Sequence, residues 1–378
     1  MIKGKRFLWL TENYPPQRGG MSQSCDRIVD GFKSVGATVD LYHFYNGKHR
    51  SAVANTAGSY TPLEVTDSES HSINLAWNQI NAKGPYDYIV SFGSHLSMIA
   101  APVFAQWLQT PLIAMIRGND FDSAIFSPRK RILINDLIAQ SKAVFAVSSD
   151  KEKKIKSLWP EANVAFVANG INLTEWQASK SEQKFAQEWR TKHLPEGKIC
   201  IGLFGDLKPK KGLSFLLDSL GKTAIANHLL LLIIGNVSDA LQQTLENQPI
   251  DYQLEGFQDR YQLLKYYLCL DTLAIPSFYD GMPNVLLEAG AMGIPVIASK
   301  VDGMKDVIAH GDSGLLFHPG DPDACRRAFY DFKKLNMADR QKLGHQLQHT
   351  IQSQFTEAHE IKHYEKYFNE YFAVTVPH

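Results

Sequence analysis

The 378-residue chain has little cysteine, no net charge and no long apolar run. Its four cysteines are far apart and form no Cys-x-x-Cys pair, so buried reduced thiols are expected rather than disulfides or zinc. Basic and acidic residues number 39 each, which gives no reason to expect nucleic acid. No apolar stretch approaches the roughly 20 residues that span a bilayer. We expect a cytoplasmic protein with at most peripheral contact to the inner face of the membrane.

One short basic run departs from this even distribution of charge. Four lysines fall within residues 151–156. Such a cluster can bind an anionic membrane surface, but a solvated helix face is the more common explanation for a run of this length. We favour the solvated face and keep the membrane contact as the alternative.

The chain also lacks the short motifs of several enzyme classes. No Gly-x-Gly-x-x-Gly sequence supports a dehydrogenase, no Gly-x-Ser-x-Gly sequence a serine hydrolase, and no Walker A sequence a nucleoside triphosphatase. Neither His-Glu-x-x-His nor a carboxylate cluster indicates a metal site. The functional residues must therefore be sought in loops of another kind.

Short apolar runs alternate with longer periodic segments along the whole chain. This alternation is typical of parallel sheets covered by helices. With 44% hydrophobic residues the chain can fill two cores, and its length suggests two domains. The predicted strands of the first half are Phe7–Leu10, Val39–Tyr42, Tyr88–Ser91, Leu112–Ile116, Ala143–Val147 and Val164–Val167. They imply one doubly wound α/β domain, residues 1–175.

A polar stretch from about Thr174 to Lys198 separates these strands from a second series. The predicted strands of the second half are Ile199–Leu203, Leu230–Ile234, Thr272–Ile275, Pro295–Ala298 and Gly314–Phe317. They imply a second Rossmann-like domain, residues 176–356. Beyond it, helical spacing places an aromatic stripe on one face and predicts core packing for Ile361, Tyr364, Phe368 and Tyr371.

The run from Tyr279 to Ile297 is the most informative stretch of the chain. A short strand precedes it, and Pro283 with Asn284 as a cap predicts the start of a helix. Free amides at a helix start suit a phosphate. Glu288, about one turn in, could reach ribose hydroxyls, and Asp280 would stand beside a sugar. Each acid alone would suggest a turn residue or a surface charge, but the whole string favours a binding site.

A lysine-rich loop follows the strand at Ile199. Lys208, Lys210 and Lys211 fall within four residues at the start of a predicted helix. Cations at that end oppose the helix dipole, by a few tenths to about 1 kcal/mol, and a bound anion would resolve the conflict. A solvated lysine loop is the alternative, which the position directly after a strand disfavours.

Three loops of the first half also follow strands. Gly19 and Gly20 allow close backbone approach to a ligand, although alone they indicate only a flexible turn. Arg117 and Asp120 could orient sugar hydroxyls or an acceptor group, or could form an internal salt bridge. His95 is similarly placed, but a single histidine is more often structural than catalytic.

In their order and number, these segments resemble the motifs of the family 4 glycosyltransferases, which are retaining enzymes with the two-domain GT-B fold. The resemblance extends over essentially the whole chain. It rests on Pro15–Gly20, Ala168–Asn172, Gly205–Gly212, Ile234–Asn236, Asp280–Glu288 with the acid-x7-acid signature, Val301–Ile308 and Asp312–Leu316.

The resemblance implies an active site in the cleft between the two domains and a C-terminal helix, about 357–378, that packs back on the first domain. It implies that Lys211, Asp280 and Glu288 are catalytic, and that no metal or other cofactor is needed. The residues that it would place around the donor are Gly20, Gly205, Lys208, Lys210, Lys211, Phe257, Gly281, Met282, Pro283, Asn284, Val285 and Glu288. His95, Arg117 and Asp120 would orient the acceptor or the sugar.

Three positions depart from the family pattern: Asp280 replaces a usual Glu, Asp206 a frequent Arg, and Arg117 a frequent His. The main hypothesis is a retaining transferase. It would move a hexose from a UDP- or GDP-linked sugar to a hydroxyl acceptor on a glycan, a lipid-linked molecule or a small glycoside. The alternatives are a catalytically impaired nucleotide-sugar-binding protein and a GT-B phosphorylase or epimerase.

Overall fold

The computed structural model describes residues 2–46, 53–93 and 95–372, and residues 373–378 of the predicted C-terminal helix lie outside this range. The chain divides into two compact units. Unit 1 comprises Met1–Asn169 with Glu357–His378, and unit 2 comprises Gly170–Thr356. The boundary thus falls after Asn169 rather than after residue 175. Each unit is built on its own mainly parallel sheet, which confirms the predicted α/β class.

The sheet of unit 1 has eight strands in the order β3-β4-β2-β1-β5-β6-β7-β8. All neighbours are parallel except β3 and β4. Its central strands are buried on both faces, which explains their nearly continuous apolar sequences. The strands are β1 Arg6–Thr11, β2 Thr38–Phe44, β3 Val53–Asn55, β4 Gly58–Leu63, β5 Tyr88–Phe92, β6 Leu112–Ile116, β7 Ser141–Ala146 and β8 Val164–Phe166.

Helices connect the parallel strands of unit 1. Two begin at serine side-chain caps: Ser68 accepts a hydrogen bond from the backbone of His71, and Ser148 accepts one from that of Lys151. The helices are α1 Gly20–Ser34, α2 Glu69–Asn81, α3 His95–Trp107, α4 Asn119–Asp122, α5 Pro128–Gln140 and α6 Ser149–Leu158.

The sheet of unit 2 has six parallel strands in the order β11-β10-β9-β12-β13-β14. Counted within the unit, this is the 3-2-1-4-5-6 order of a Rossmann fold. The direction of winding reverses between β9 and β12. The strands are β9 Ile199–Phe204, β10 Leu229–Ile234, β11 Asp251–Glu255, β12 Thr272–Ile275, β13 Val296–Ser299 and β14 Leu315–Phe317.

The connections of unit 2 are also helical. Short 3-10 turns cover Leu173–Trp176, Pro209–Lys211 and Ala226–His228. The α-helices are α7 Lys180–His193, α8 Leu213–Leu220, α9 Asp239–Glu246, α10 Arg260–Tyr267, α11 Asn284–Ala291, α12 Asp302–Val307, α13 Pro322–Lys334 and α14 Met337–Gln354.

The last helix, α15 (Glu357–Phe372), returns to unit 1. Its aromatic stripe lies in the core, as predicted. Phe368 contacts the rings of Phe7, Phe32 and Phe145, each with centroids less than 6 Å away. Ile361 lies against Gly31 of α1, where a side chain on the glycine would collide with it.

Three strands, β3, β4 and β11, and one helix were not predicted. The strands β3 and β11 lie at sheet edges and are largely exposed, so their residues lack an apolar run. Helix α7 occupies the stretch predicted to be a polar linker. Its start is a capping box, Ser179 with Glu182, and Trp189 and Ala186 are its buried face. The Ser-x-x-Glu spacing is the sequence feature that could have predicted this helix start.

The lysine run on α6 is not a free basic surface. Lys151 is buried and pairs with Asp122 at 2.8 Å. Lys154 pairs with Asp150 and Lys156 with Glu152 along the same helix. The expectation of a mainly solvated helix face holds for the later lysines but is wrong for Lys151. Within the described ranges, no helix is both long and apolar enough to cross a bilayer.

Candidate functional site

The two loops singled out by sequence meet at the reversal point of the unit 2 sheet. The lysine loop follows β9, and the loop carrying Asp280 follows β12, its hydrogen-bonded neighbour. Ligands of open α/β sheets bind beyond the carboxyl ends of the strands at such a reversal point. The fold therefore brings both loops to the expected place.

Backbone contacts join the two loops. Gly212 adopts a left-handed conformation, with φ of +73°, and a Cβ atom there would lie 2.1 Å from the carbonyl oxygen of Pro276. The Phe278 amide donates a hydrogen bond to the Lys210 carbonyl at 2.9 Å. A glycine is thus required at position 212 for both its conformation and this close approach. The lysines are held beside the turn that precedes α11.

Lys211 and Asp280 form the central ion pair of this site. Lys211 Nζ lies 2.5 Å from Asp280 Oδ2, and Lys210 Nζ lies 3.8 Å from Asp280 Oδ1. Burial alone would raise the pKa of Asp280, but the two ammonium groups and the Gly281 amide outweigh it, so the pKa is lowered. Asp280 is therefore an ionised carboxylate that neutralises part of the lysine charge.

Helix α12 holds the backbone on either side of Asp280. The Asp280 amide donates to Asp302 Oδ2 at 3.0 Å, and the Gly303 amide donates to the Gly281 carbonyl at 2.8 Å. A Cβ at Gly303 would lie 2.5 Å from that same carbonyl oxygen. Asp302 lies in the Val301–Ile308 segment that resembles the family, but it was not predicted as a site residue because its role depends on a contact distant in sequence.

Helix α11 starts where predicted, but not with the predicted cap. Pro283 is the residue that precedes the first turn, and Asn284 is already helical, so the expectation of Asn284 as the cap is wrong. Met282 is buried in the approach to the helix, while Val285 is half-buried in its first turn. Glu288 lies one turn into the helix and is 7% exposed.

Tyr267, the last residue of α10, contacts Glu288 and was missed by sequence reasoning. Its hydroxyl donates to Glu288 Oε2 at 2.7 Å. The residue is fully buried, and its ring packs on Phe204 and Trp176. Nothing in the local sequence of α10 marks Tyr267 apart from its neighbour Tyr266, so the fold was needed to find it.

The remaining predicted donor residues of unit 2 lie on loops beyond the strands. Gly205 follows β9, and its carbonyl oxygen lies so close to Gly235 that a Cβ there would be 1.9 Å away. Lys208 pairs with Asp206 at 2.9 Å in an exposed position. Phe257 follows β11 and is largely exposed. Gly20, in unit 1, is the first residue of α1.

Arg117 of unit 1 has internal partners. Its guanidinium lies 3.8 Å from Glu360 Oε1, donates to the Tyr364 hydroxyl at 3.2 Å and also donates to Asn169 Oδ1. Arg27 binds the same Glu360 carboxylate at 2.8 Å. Of the two alternatives left open by the sequence, the structure therefore has the internal ion pair, with Glu360 rather than Asp120 as the partner.

Asp120 shapes the loop that carries Arg117. Its carboxylate accepts the backbone amides of Arg117 at 2.8 Å and Gly118 at 2.5 Å. Burial raises the pKa of Asp120, although these amides and the nearby Lys151 and Arg117 charges oppose the shift. The side chain thus closes its own turn at the end of β6.

His95 is the first residue of α3. Its Nε2 atom lies 2.8 Å from Glu69 Oε1, and both side chains are partly exposed. The next amide, that of Leu96, donates to Glu12 Oε2 at 2.7 Å. Burial raises the pKa of Glu12, against the hydrogen bond from Leu96. Glu12, which was not predicted, caps the helix that His95 begins.

No group of three or more histidine, cysteine, aspartate or glutamate side chains suited to a metal ion occurs in the described part of the chain. The four cysteines are all buried and free, as expected from their spacing. Positive charge in the unit 2 site comes from lysines and from the amide end of α11.

Solved structures share this architecture. Sucrose-phosphate synthase from Thermosynechococcus elongatus superposes with a TM-score of 0.82 at 16% identity, over 98% of this chain and 100% of that one. Anabaena HepE in complex with UDP-glucose gives a TM-score of 0.79 at 15% identity, over 97% and 100% of the two chains. The fold is GT-B, with two Rossmann-like units.

Sequence comparison agrees with the motif resemblance. The family model described as "Glycosyl transferases group 1" matches residues 198–332, the segment that contains the lysine loop and α11. An uncharacterised glycosyltransferase of Methanocaldococcus jannaschii is 24% identical over 342 residues, which cover 84% of this chain and 86% of the relative. Residues 198–332 thus match the group 1 glycosyltransferases, in agreement with the family 4 motifs, and the similarity to glycosyltransferases supports an enzyme that transfers a sugar.

Proposed function

We propose that the protein transfers a hexose from a UDP- or GDP-linked sugar to a hydroxyl acceptor, with retention of anomeric configuration. One observation carries the proposal. The loop that carries Lys211 contacts the loop that precedes α11 at Gly212 and Pro276, and Glu288 lies one turn into α11. This spacing fits a diphosphate at the helix start with a ribose beyond it.

In this proposal Lys211 and Lys210 bind the diphosphate together with the amides from Gly281 to Val285. Lys211 is already paired with Asp280 at 2.5 Å. An arriving diphosphate would share or take over the ammonium group, because a doubly charged group competes well with one carboxylate. Asp280 would then be released to contact the donor sugar. The shorter Asp side chain, in place of the family's Glu, bears on the choice of that sugar.

The proposed chemistry breaks the bond between the anomeric carbon and the β-phosphate oxygen, and forms one from that carbon to the acceptor oxygen on the same face. The acceptor hydroxyl proton passes to the departing diphosphate oxygen. Lys211 and the α11 amides stabilise the negative charge that develops on the leaving group. We propose that no metal ion is needed, because these groups supply the positive charge.

The acceptor is a hydroxyl of a glycan, a lipid-linked molecule or a small glycoside. Of the three residues predicted to orient it, His95 has the accessible side chain, whereas the Arg117 side chain is 2% exposed. We assign acceptor contact to His95. Arg117 and Asp120 would instead stabilise the loop that follows β6. Similarity to transferases favours this function over a non-catalytic binding protein or a phosphorylase.

The donor is tested by thermal shift with UDP, GDP, ADP and dTDP sugars. A ligand at 100 times its dissociation constant should add about 2.7 kcal/mol of stability. The stabilising donor is then incubated with acceptors, with EDTA present, and the product's anomeric configuration is determined by NMR. Inverted product would refute retention, and loss of turnover in EDTA that added metal restores would refute metal independence. No stabilisation by any donor would refute the donor assignment.

A surface of unit 1 supports a peripheral membrane contact in the cytoplasm. Phe126 and Ile132 are 87% and 62% exposed, on either side of the exposed basic residues Arg129, Lys130 and Arg131 at the start of α5. We refer to these five residues as the α5 patch. No ion pair neutralises its basic side chains within the described ranges. Exposed apolar groups beside basic ones suit an anionic bilayer surface, with the apolar side chains inserted between headgroups.

Co-sedimentation with vesicles tests this contact. The protein should bind vesicles that contain phosphatidylglycerol, weakly at high salt, and should not bind pure phosphatidylcholine. Phe126→Ser should reduce binding, whereas Lys156→Ala, which removes a lysine already paired with Glu152 on α6, should not. Equal binding to both vesicle types, or none to either, would contradict the membrane contact.

A further inference from the structure

A buried tyrosine hydroxyl contacts the carboxylate that is proposed to bind ribose. Tyr267 Oη lies 2.7 Å from Glu288 Oε2 and 3.5 Å from the Val285 carbonyl oxygen. The two side chains come from different helices, α10 and α11, separated by strand β12. The contact is therefore made by the fold of unit 2 and not by local sequence.

We propose that Tyr267 is a positioning residue: by binding Oε2 of Glu288, it fixes the carboxylate so that its other oxygen accepts hydrogen bonds from the ribose hydroxyls of the donor. This inference rests on the proposed function, and it makes Tyr267 a determinant of the preference for ribonucleotides. A carboxylate oxygen held by a fixed donor loses little rotational freedom when a ligand binds.

The tyrosine itself is held in place by aromatic contacts. Its ring makes edge contacts with Phe204, at 4.8 Å between centroids, and Trp176, at 5.6 Å. Phe204 is the last residue of β9, at the edge where the lysine loop begins. The ring position is therefore tied to the same strand end that presents Lys211.

The hydroxyl can act only as a donor to Glu288 in the working range of pH. Burial raises the pKa of Tyr267 well above its ordinary value, and the Glu288 charge and hydrogen bond raise it further. The proton thus stays on the tyrosine hydroxyl, which donates its hydrogen bond to Glu288 Oε2. A neutral donor of this kind orients Glu288 without cancelling its charge.

The neighbouring tyrosine offers a matched control. Tyr266 is also buried and packs on Phe185, with centroids 5.3 Å apart, on the side of α10 that faces α7. No hydrogen bond from its hydroxyl occurs within the described part of the chain. Tyr266→Phe therefore removes a hydroxyl from the same helix without touching Glu288.

The test measures binding of UDP and GDP, and of their 2′,3′-dideoxy forms, by isothermal titration calorimetry. The wild type should prefer the ribose form of its nucleotide. Tyr267→Phe should weaken binding of the ribose form about tenfold and leave binding of the dideoxy form unchanged, because only the ribose contact depends on Glu288. Tyr266→Phe should bind both forms as the wild type does. In Glu288→Gln, adding Tyr267→Phe should cause no further loss.

The inference would be overturned if Tyr267→Phe bound the ribose and dideoxy forms equally more weakly, if it kept the full preference for ribose, or if it failed to fold. Each of these results would point to a packing role for Tyr267. Failure of the wild type to bind either nucleotide would overturn the donor proposal together with this inference. Nucleotide binding without ribose preference would remove the role of Glu288, and Tyr267 with it, but would leave sugar transfer standing.

Discussion

Each unit contains a cluster of basic and acidic side chains, and the two clusters differ in exposure and in role. In unit 2, the Lys211 and Asp280 side chains are 25% and 13% exposed. In unit 1, the Arg117 and Glu360 side chains are 2% and 1% exposed, and Arg27 shares the same carboxylate. The first pair lies at strand ends where ligands bind, whereas the second ties α15 to α1 and to the loop after β6.

The difference in exposure separates a pair that can exchange partners from one that cannot. A partly exposed ammonium group can leave its carboxylate for a phosphate at little cost, since water compensates both ions. Removing one partner from the buried cluster leaves an uncompensated charge in the interior. The sequence alone did not separate Lys211 from Arg117, because each follows a predicted strand and each was considered as a ligand contact. Burial decides which one can bind a ligand.

The largest effect is expected from breaking the buried cluster. Glu360→Gln leaves the Arg27 and Arg117 guanidinium groups without their shared carboxylate, so unfolding free energy should fall by about 3–5 kcal/mol. Urea denaturation followed by tryptophan fluorescence measures the change. Glu370→Gln, at an exposed position of the same helix, is the control and should be nearly neutral. A loss no larger than that of the control would show that the cluster is not structural.

The next effect concerns turnover rather than stability. Lys211→Ala removes the cation proposed to stabilise the leaving diphosphate, and kcat should fall about 100-fold or more. Lys208→Ala is the matched control, because this lysine is exposed and paired with Asp206. It should change kcat far less. Near-normal turnover by Lys211→Ala, measured with the identified donor, would remove Lys211 from the proposed mechanism.

The fold was predictable where burial imposes a clear pattern. The central strands of both sheets, such as Leu112–Ile116, are apolar runs because helices cover both faces. The edge strand β11 has no such pattern, and it was missed. In the site, Lys211 and Glu288 could be found from their positions after strands. Tyr267, Asp302 and Glu360 could not, because each is defined by a partner that is distant in sequence.

A smaller effect, on thermal stability, is expected from the charge state of Asp280. Its native pKa is lowered from the ordinary value of 3.8 by the lysines and the Gly281 amide, which outweigh burial. When the pKa of a carboxyl group is lower in the folded protein than in the unfolded chain, its ionisation stabilises the fold. This stabilisation is complete at pH values above the pKa of the unfolded chain, and it is lost as the pH falls through the pKa of the folded protein. The melting temperature of the wild type should therefore converge on that of Asp280→Asn as pH falls below about 4. A difference that is constant from pH 6 to 3 would contradict the ion pair.

The smallest effect should come from the lysine run on α6, where exposed and buried pairs occur in one helix. Lys156 pairs with Glu152 at 2.7 Å, with side chains 49% and 24% exposed. Lys156→Ala should lower the unfolding free energy by only about 0.3–0.5 kcal/mol, because water and salt screen the pair. Lys151→Ala, which leaves Asp122 buried without its partner, should cost several times more. Equal losses in urea denaturation would mean that burial does not set the strength of these pairs, and the distinction between the two charge clusters would lose its physical basis.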